Sequence, residues 1–160
     1  MGWVLLQNAS LPWVRFHSLP GSKRYAETEE ETALILSRGN QLASEFLGEG
    51  QTCWIVTARP NGHGVSGDEV GSWIEDEADE DSLVWRYFAE IGVWSSGIFD
   101  EQLKDLADDA LEYVIWFRPS DGRVFAPYDG GFDLFSPHAT DIAEVRDRHT
   151  EWLSAHPDGL

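Results

Sequence analysis

The sequence predicts an α+β domain, one mostly antiparallel sheet covered by about three helices. Three observations lead there. Residues 113–118 and 123–126 are apolar, strand-like runs joined by Pro119-Ser120-Asp121-Gly122, which has the turn chemistry of a hairpin. Three separate stretches place apolar residues at helical spacing. These helices are too few, and the hairpin too clear, for a doubly wound parallel sheet.

Along the chain, Trp13, Arg15 and His17 alternate with Val14 and Phe16, the period of a half-buried strand, before a turn at Leu19-Pro20-Gly21-Ser22. A helix over 28–47 starts at Thr28, a good N-cap with Glu31 three residues on and Glu29 and Glu30 at the positive helix end. Ile35, Gly39, Leu42, Ala43 and Phe46 share its buried face, and Gly48 ends it. Residues 52–58 read as a buried strand, 59–71 as a long polar loop, and 82–88 as a strand with two apolar faces. Asp100 is expected to cap a second helix over 100–112, with Leu103, Leu106, Ala107, Ala110 and Leu111 inward. Beyond the hairpin and the turn at Asp129-Gly130-Gly131, residues 132–135 add a strand. Ser136 as N-cap and Pro137 at the first helical position then open a last helix over 137–155. The predicted core holds Phe16, Ile35, Leu42, Phe46, Trp54, Val56, Leu106, Leu111, Ile115, Phe117, Val145 and Trp152.

With 160 residues, 42% of them hydrophobic, the chain is long enough to bury a core as one domain over 1–160, with no linker or repeat. Cys53 is the single cysteine, so no internal disulfide is expected, and its apolar surroundings read as a buried thiol. The start of the chain lacks the basic region of a secretory signal and no apolar run approaches bilayer length, so cytoplasm is the expected compartment. The net charge of −18 is uneven, because residues 61–112 hold 15 acidic and two basic groups. Such a field repels nucleic acid and anionic membranes and steers basic proteins inward. The run Glu75, Asp76, Glu77, Asp79, Glu80 and Asp81 is therefore the expected docking surface of a basic protein partner. Solvation without a partner is the other reading of that charge.

Several motifs are weaker than they look. Gly62-His63-Gly64-Val65-Ser66-Gly67 matches a dinucleotide fingerprint, but acidic residues rather than a helix follow it, so no cofactor is expected. The acidic run lacks the spacing of an EF-hand loop, and no metal is expected. The nucleophile-elbow pattern is absent. His149 falls in the buried stripe of the last helix, which suits a core histidine. The one basic cluster is Arg15, His17, Ser22, Lys23, Arg24 and Tyr25. If its turn folds back, these groups converge on one anion. If not, they pair with neighbouring glutamates and with the acidic half of the chain. Asp129 and Asp133 flank Gly130-Gly131 either as a carboxylate pair or as turn formers.

Two of these stretches, taken together, resemble a bacterial domain-of-unknown-function family. The run Arg15-Phe16-His17-Ser18-Leu19-Pro20-Gly21-Ser22-Lys23-Arg24-Tyr25 is similar to its amino-terminal signature. Tyr128-Asp129-Gly130-Gly131-Phe132-Asp133 and Trp152-Leu153 are similar to its Tyr-Asp-Asp-Arg-Gly turn and helix ending. Here the turn is one residue shorter and lacks the arginine. The resemblance implies a single domain whose two ends meet, and it implies no activity. The expected function is an acidic binding protein, an immunity-type inhibitor of a basic toxin or nuclease. The alternative is a small enzyme or anion-binding domain using the basic cluster with Tyr128, Asp129 and Asp133.

Overall fold

The computed structural model describes residues 11–60, 66–74, 83–109 and 113–153. Strands β1 (Trp13–His17), β2 (Thr52–Pro60), β3 (Asp68–Ile74), β4 (Val84–Val93), β5 (Tyr113–Arg118), β6 (Arg123–Tyr128) and β7 (Gly131–Phe135) make one sheet. Its order is β1-β7-β6-β5-β2-β4-β3, and every neighbouring pair is antiparallel. Helices α1 (Glu29–Leu47), α2 (Asp100–Ala107) and α3 (Ala139–Arg148) complete the α+β fold.

The pleat sorts each strand into two faces. Val14, Phe16, Phe132, Leu134, Phe125, Trp116 and Cys53 point to the helices and join Leu42, Phe46, Leu103, Leu106, Ile142 and Val145 in the main core. Trp94, just past β4, meets Phe99, Trp116 and Phe125 there, with ring centroids 5.4, 5.8 and 5.9 Å away. The opposite face carries Trp13, Phe117, Val56 and a smaller buried cluster of Ile115, Val124, Ala126 and Phe135.

α1 forms as its sequence dictates. Thr28 Oγ1 accepts from Glu31 N at 3.2 Å, and all five predicted inward residues are buried. Gly39 lets the helix lie directly on β7, since a Cβ there would be 2.9 Å from the Phe132 ring. Elsewhere the structure corrects the sequence reading. Asp100 does not cap α2: it is the first helical residue, and its Oδ1 accepts from Asn40 Nδ2 at 2.6 Å. α3 begins at Ala139 rather than at Pro137, because Ser136 Oγ accepts from His138 N and donates to Asp141, moving the start two residues on. α3 ends at Arg148, and a 3-10 turn over Thr150–Trp152 follows it.

The expected loop over 59–71 contains part of β3, and the expected strand over 82–88 runs on to Val93. β3 escapes a period-two reading because it is an edge strand exposed along its whole length, so neither face is sorted by burial. Trp54 is 40% exposed rather than in the core, because it lies on the face that the helices leave uncovered. Val56, Phe117 and Trp152 are half-buried. Leu111, the end of the second predicted helix and the Gly62–Val65 part of the glycine motif lie outside the described residues. Gly67 is followed by a strand, not by the helix a pyrophosphate site needs.

The carboxyl-terminal segment is latched to α1 and β1. His149 is buried, its Nε2 lies 2.8 Å from Glu45 Oε2, and its ring stacks on Trp152 at 4.4 Å. Arg38 lies over the other ring of this stack at 4.9 Å and donates to the His17 carbonyl at 3.0 Å. Burial pushes the Glu45 carboxyl up, but hydrogen bonds from His149 and Gln41 and the charge of Arg148 outweigh it and hold Glu45 below the ordinary value of 4.5. A folded value below the unfolded one contributes stability that is complete above about pH 4.5 and fades as pH falls through the folded value. Urea denaturation should therefore show the wild-type midpoint falling more steeply than that of Glu45→Gln between about pH 5 and pH 3. Parallel profiles would show that the latch carries no pH dependence.

Candidate functional site

The β1–β7 register sets Arg15 directly opposite Asp133 and His17 opposite Gly131, with all four on the face away from the helices. This register needs glycine at 131: a Cβ there would stand 2.0 Å from the Phe16 carbonyl oxygen. The turn that leads out of β1 is sewn to the β6–β7 turn as well, since Ser18 N and Oγ both donate to the Gly130 carbonyl, at 3.1 and 3.2 Å. Two segments more than a hundred residues apart in sequence are thereby fused at one end of the sheet.

They enclose a cleft of about 370 Å³. Arg15 donates through Nε and Nη2 to the two oxygens of Asp133, at 2.7 and 2.8 Å. Asp133 is buried, which pushes its carboxyl above the ordinary value while Arg15 pulls against that shift. The guanidinium lies over two rings, 4.7 Å from the Tyr128 centroid and 5.6 Å from that of Trp13. Burial pushes the Tyr128 phenol up to about 12, so at neutral pH it keeps its proton and is a hydrogen-bond donor. His17 is held below its ordinary value by burial and by the nearby charges of Arg15 and Arg38, which favours the neutral imidazole. Its Nε2 is 3.1 Å from Ser22 Oγ, and Ser22 itself is left-handed with φ 58°. Such backbone strain in a non-glycine residue gathers at sites that bind ligands.

Arg24 Nε donates to Asp129 Oδ2 at 2.5 Å, and the Tyr25 hydroxyl donates to the same oxygen at 2.9 Å. Lys23 departs from the group. Its ammonium turns back to Glu31, at 2.8 Å, and to Glu27, at 3.0 Å, and so supports the start of α1 rather than the cleft. Both expectations for the basic cluster are therefore realised by different members. Arg15, His17, Ser22, Arg24, Tyr128 and Asp133 line one cleft, while each cation also has a carboxylate. Donors remain unspent: Arg15 Nη1, both Arg24 Nη groups and the Tyr128 hydroxyl make no hydrogen bond among the described residues.

Tyr113 and Ala126 also line the cleft and were not singled out in the sequence. The hairpin held the signal. Phe117 opposite Val124 is its observed register, and extending that register by four residues brings Tyr113 to the level of Tyr128. Among the described residues no group of three His, Cys, Asp or Glu side chains is arranged to hold a metal ion. Among the described residues no helix is long and apolar enough to cross a membrane. Glu75, Asp76, Glu77, Asp79, Glu80 and Asp81 lie outside the described residues.

If Arg15 and Asp133 depend on each other, breaking the pair is worse than removing it. Asp133→Leu alone leaves a guanidinium largely buried without its partner and should cost roughly 3 kcal/mol, while Arg15→Met combined with Asp133→Leu should cost less. Denaturation of the four proteins of this double-mutant cycle measures the coupling. Strictly additive losses would show that the two side chains act separately.

A family model described as a domain of unknown function, DUF3885, matches residues 1–157. No curated protein and no solved structure matches the chain.

Proposed function

We propose a ligand-binding role for this chain, which belongs to the DUF3885 family of domains of unknown function: the cleft between β1, β7 and β6 takes a small molecule through an anionic group. The observation that carries this reading is the convergence of Arg15, Arg24 and the Tyr128 hydroxyl on one cavity with donor hydrogens to spare. Asp133 and Asp129 hold the two guanidinium groups in place, so neither has to be ordered when the ligand arrives. Guanidinium groups match the planar fork of a carboxylate or phosphate, and a charge-assisted bond of this kind outweighs a neutral one. The acid-rich remainder of the chain opposes the approach of any anion, so recognition must be short-range.

Calorimetric titration with inorganic phosphate and with acetate tests this reading. Saturable binding of at least one is expected, and Arg24→Ala should weaken it about tenfold, the worth of one hydrogen bond to a charged group. Arg24 is 63% exposed along its side chain, so that variant keeps the fold. Absence of saturable binding, or equal binding by the variant, would remove the reading.

A second reading, an acidic immunity-type inhibitor of a basic protein, is favoured by a different observation. Trp54 and Ile91 face each other across β2 and β4, both exposed, and a bulge between Glu69 and Gly71 turns Val70 into the same groove beside Asp68 and Glu90. Apolar side chains rimmed by carboxylates suit a partner that is basic and partly apolar. Affinity for such a partner, once isolated from the native host and identified, should fall roughly tenfold or more from low to high salt. Ile91→Lys, on a side chain 73% exposed, should abolish the binding. A partner held equally well at high salt and by that variant would remove this reading.

A further inference from the structure

We infer that the cleft is one lobe of a two-lobed site whose ligand is a planar ring joined to an anionic group; the inference rests on the proposed anion-binding cleft and names its ligand class. A second cavity, of about 310 Å³, adjoins the first, and the two share Arg24, Tyr113 and Tyr128 as walls. The chemistry of the lobes differs. The first presents guanidinium, hydroxyl and imidazole groups. The second is walled by the rings of Tyr25, Trp85, Tyr113 and Tyr128, with Leu106 behind them.

Sheet register explains how the rings gather. Ala58 of β2 pairs with Tyr113 on one side and Tyr87 on the other, and its small side chain leaves room over β2 for a neighbouring ring. Trp85, two residues from Tyr87 on the same face of β4, leans across that gap to Tyr113, with centroids 5.2 Å apart and planes inclined at 57°. Tyr25 remains 46% exposed, so ring surface is available to a flat molecule. Offset or edge contacts with such rings stabilise a bound ring whatever its substituents.

Four rings with Asp109 and Asp129 beside them also suit a cation, in the manner of an aromatic cage. Arg24 already occupies one of those carboxylates, Asp129. Its guanidinium lies 5.7 Å from the Tyr25 centroid, on the wall common to both lobes, and repels an ammonium group while it draws an anion to the boundary. A ligand with its ring in the second lobe and its charge at Arg24 satisfies both walls together. Backbone strain marks the same two places. Among the described residues the only non-glycine positions with a left-handed backbone are Ser22, φ 58°, in the first lobe, and Asp109, φ 57°, in the second.

Phenyl phosphate, inorganic phosphate and phenol, titrated calorimetrically into the intact protein, separate the lobes. Phenyl phosphate should bind at least about tenfold more tightly than phosphate, and phenol weakly. Trp85→Leu should erase that advantage and leave the phosphate affinity unchanged. Should the first variant lose its circular-dichroism signature, Tyr25→Ala read against Tyr25→Phe, which loses the same hydroxyl bond to Asp129 but keeps the ring, makes the same test. Equal affinity for phenyl phosphate and phosphate, or an advantage that survives both substitutions, would overturn the two-lobed site and leave the anion cleft standing. Failure of every probe to bind would overturn both.

Discussion

The absence of a side chain at Gly131 is the constraint on which this end of the molecule depends. A Cβ there would collide with the Phe16 carbonyl, so only glycine lets β1 close against β7. From that closure follow the Arg15–Asp133 pair, the seating of Ser18 on Gly130 and the burial of Phe16 and Phe132 beneath the sheet. The pairing joins residues 118 apart, and loop closure over that distance costs entropy that local contacts alone do not offset. It is held because one face of the β1–β7 ladder buries aromatic rings while the other buries a bidentate ion pair.

The two faces of the sheet obey different physics. Against the helices, Trp94, Trp116, Phe125 and Phe132 pack ring on ring, and shape governs. On the other face burial is uneven, dry around Val124 and Phe135, polar around Arg15 and His17, and open around Trp54 and Ile91. A sheet covered by helices on one side has freedom to place polar groups on the other, and the cleft and the apolar groove both lie there.

Charge is organised in the same divided way. At least nine of the 11 basic residues stand within ion-pair distance of a carboxylate, so the cations are largely spent inside the molecule and its surplus is carboxylate. Most of these pairs are exposed and contribute little stability each. The partly buried ones at Arg15, Arg118 and Arg123 fix particular turns and strands to one another. Fixing a guanidinium by its carboxylate partner is also what leaves it aimed into a cavity with hydrogens unspent.

Features legible in the sequence were those made by neighbours along the chain. The Thr28 cap reaches three residues ahead, the Pro119–Gly122 connection reverses two adjacent strands, and the α1 stripe repeats within a single helix. The glycines and charged residues of the site were visible too, as two unusual segments far apart. Whether those segments met, and on which face, was a matter of register between strands with no local signature. Lys23 turned to Glu31 because that residue, in the first turn of α1, is only eight positions away, whereas Arg15 had Asp133 placed opposite it by the sheet. Trp54 and β3 were misread for a related reason. Alternation tells which residues share a face of a strand, but which face is covered depends on where the helices come to rest. Local hydrogen bonding and periodicity thus determined the elements, and long-range strand pairing, which buries surface contributed by both partners, decided the site.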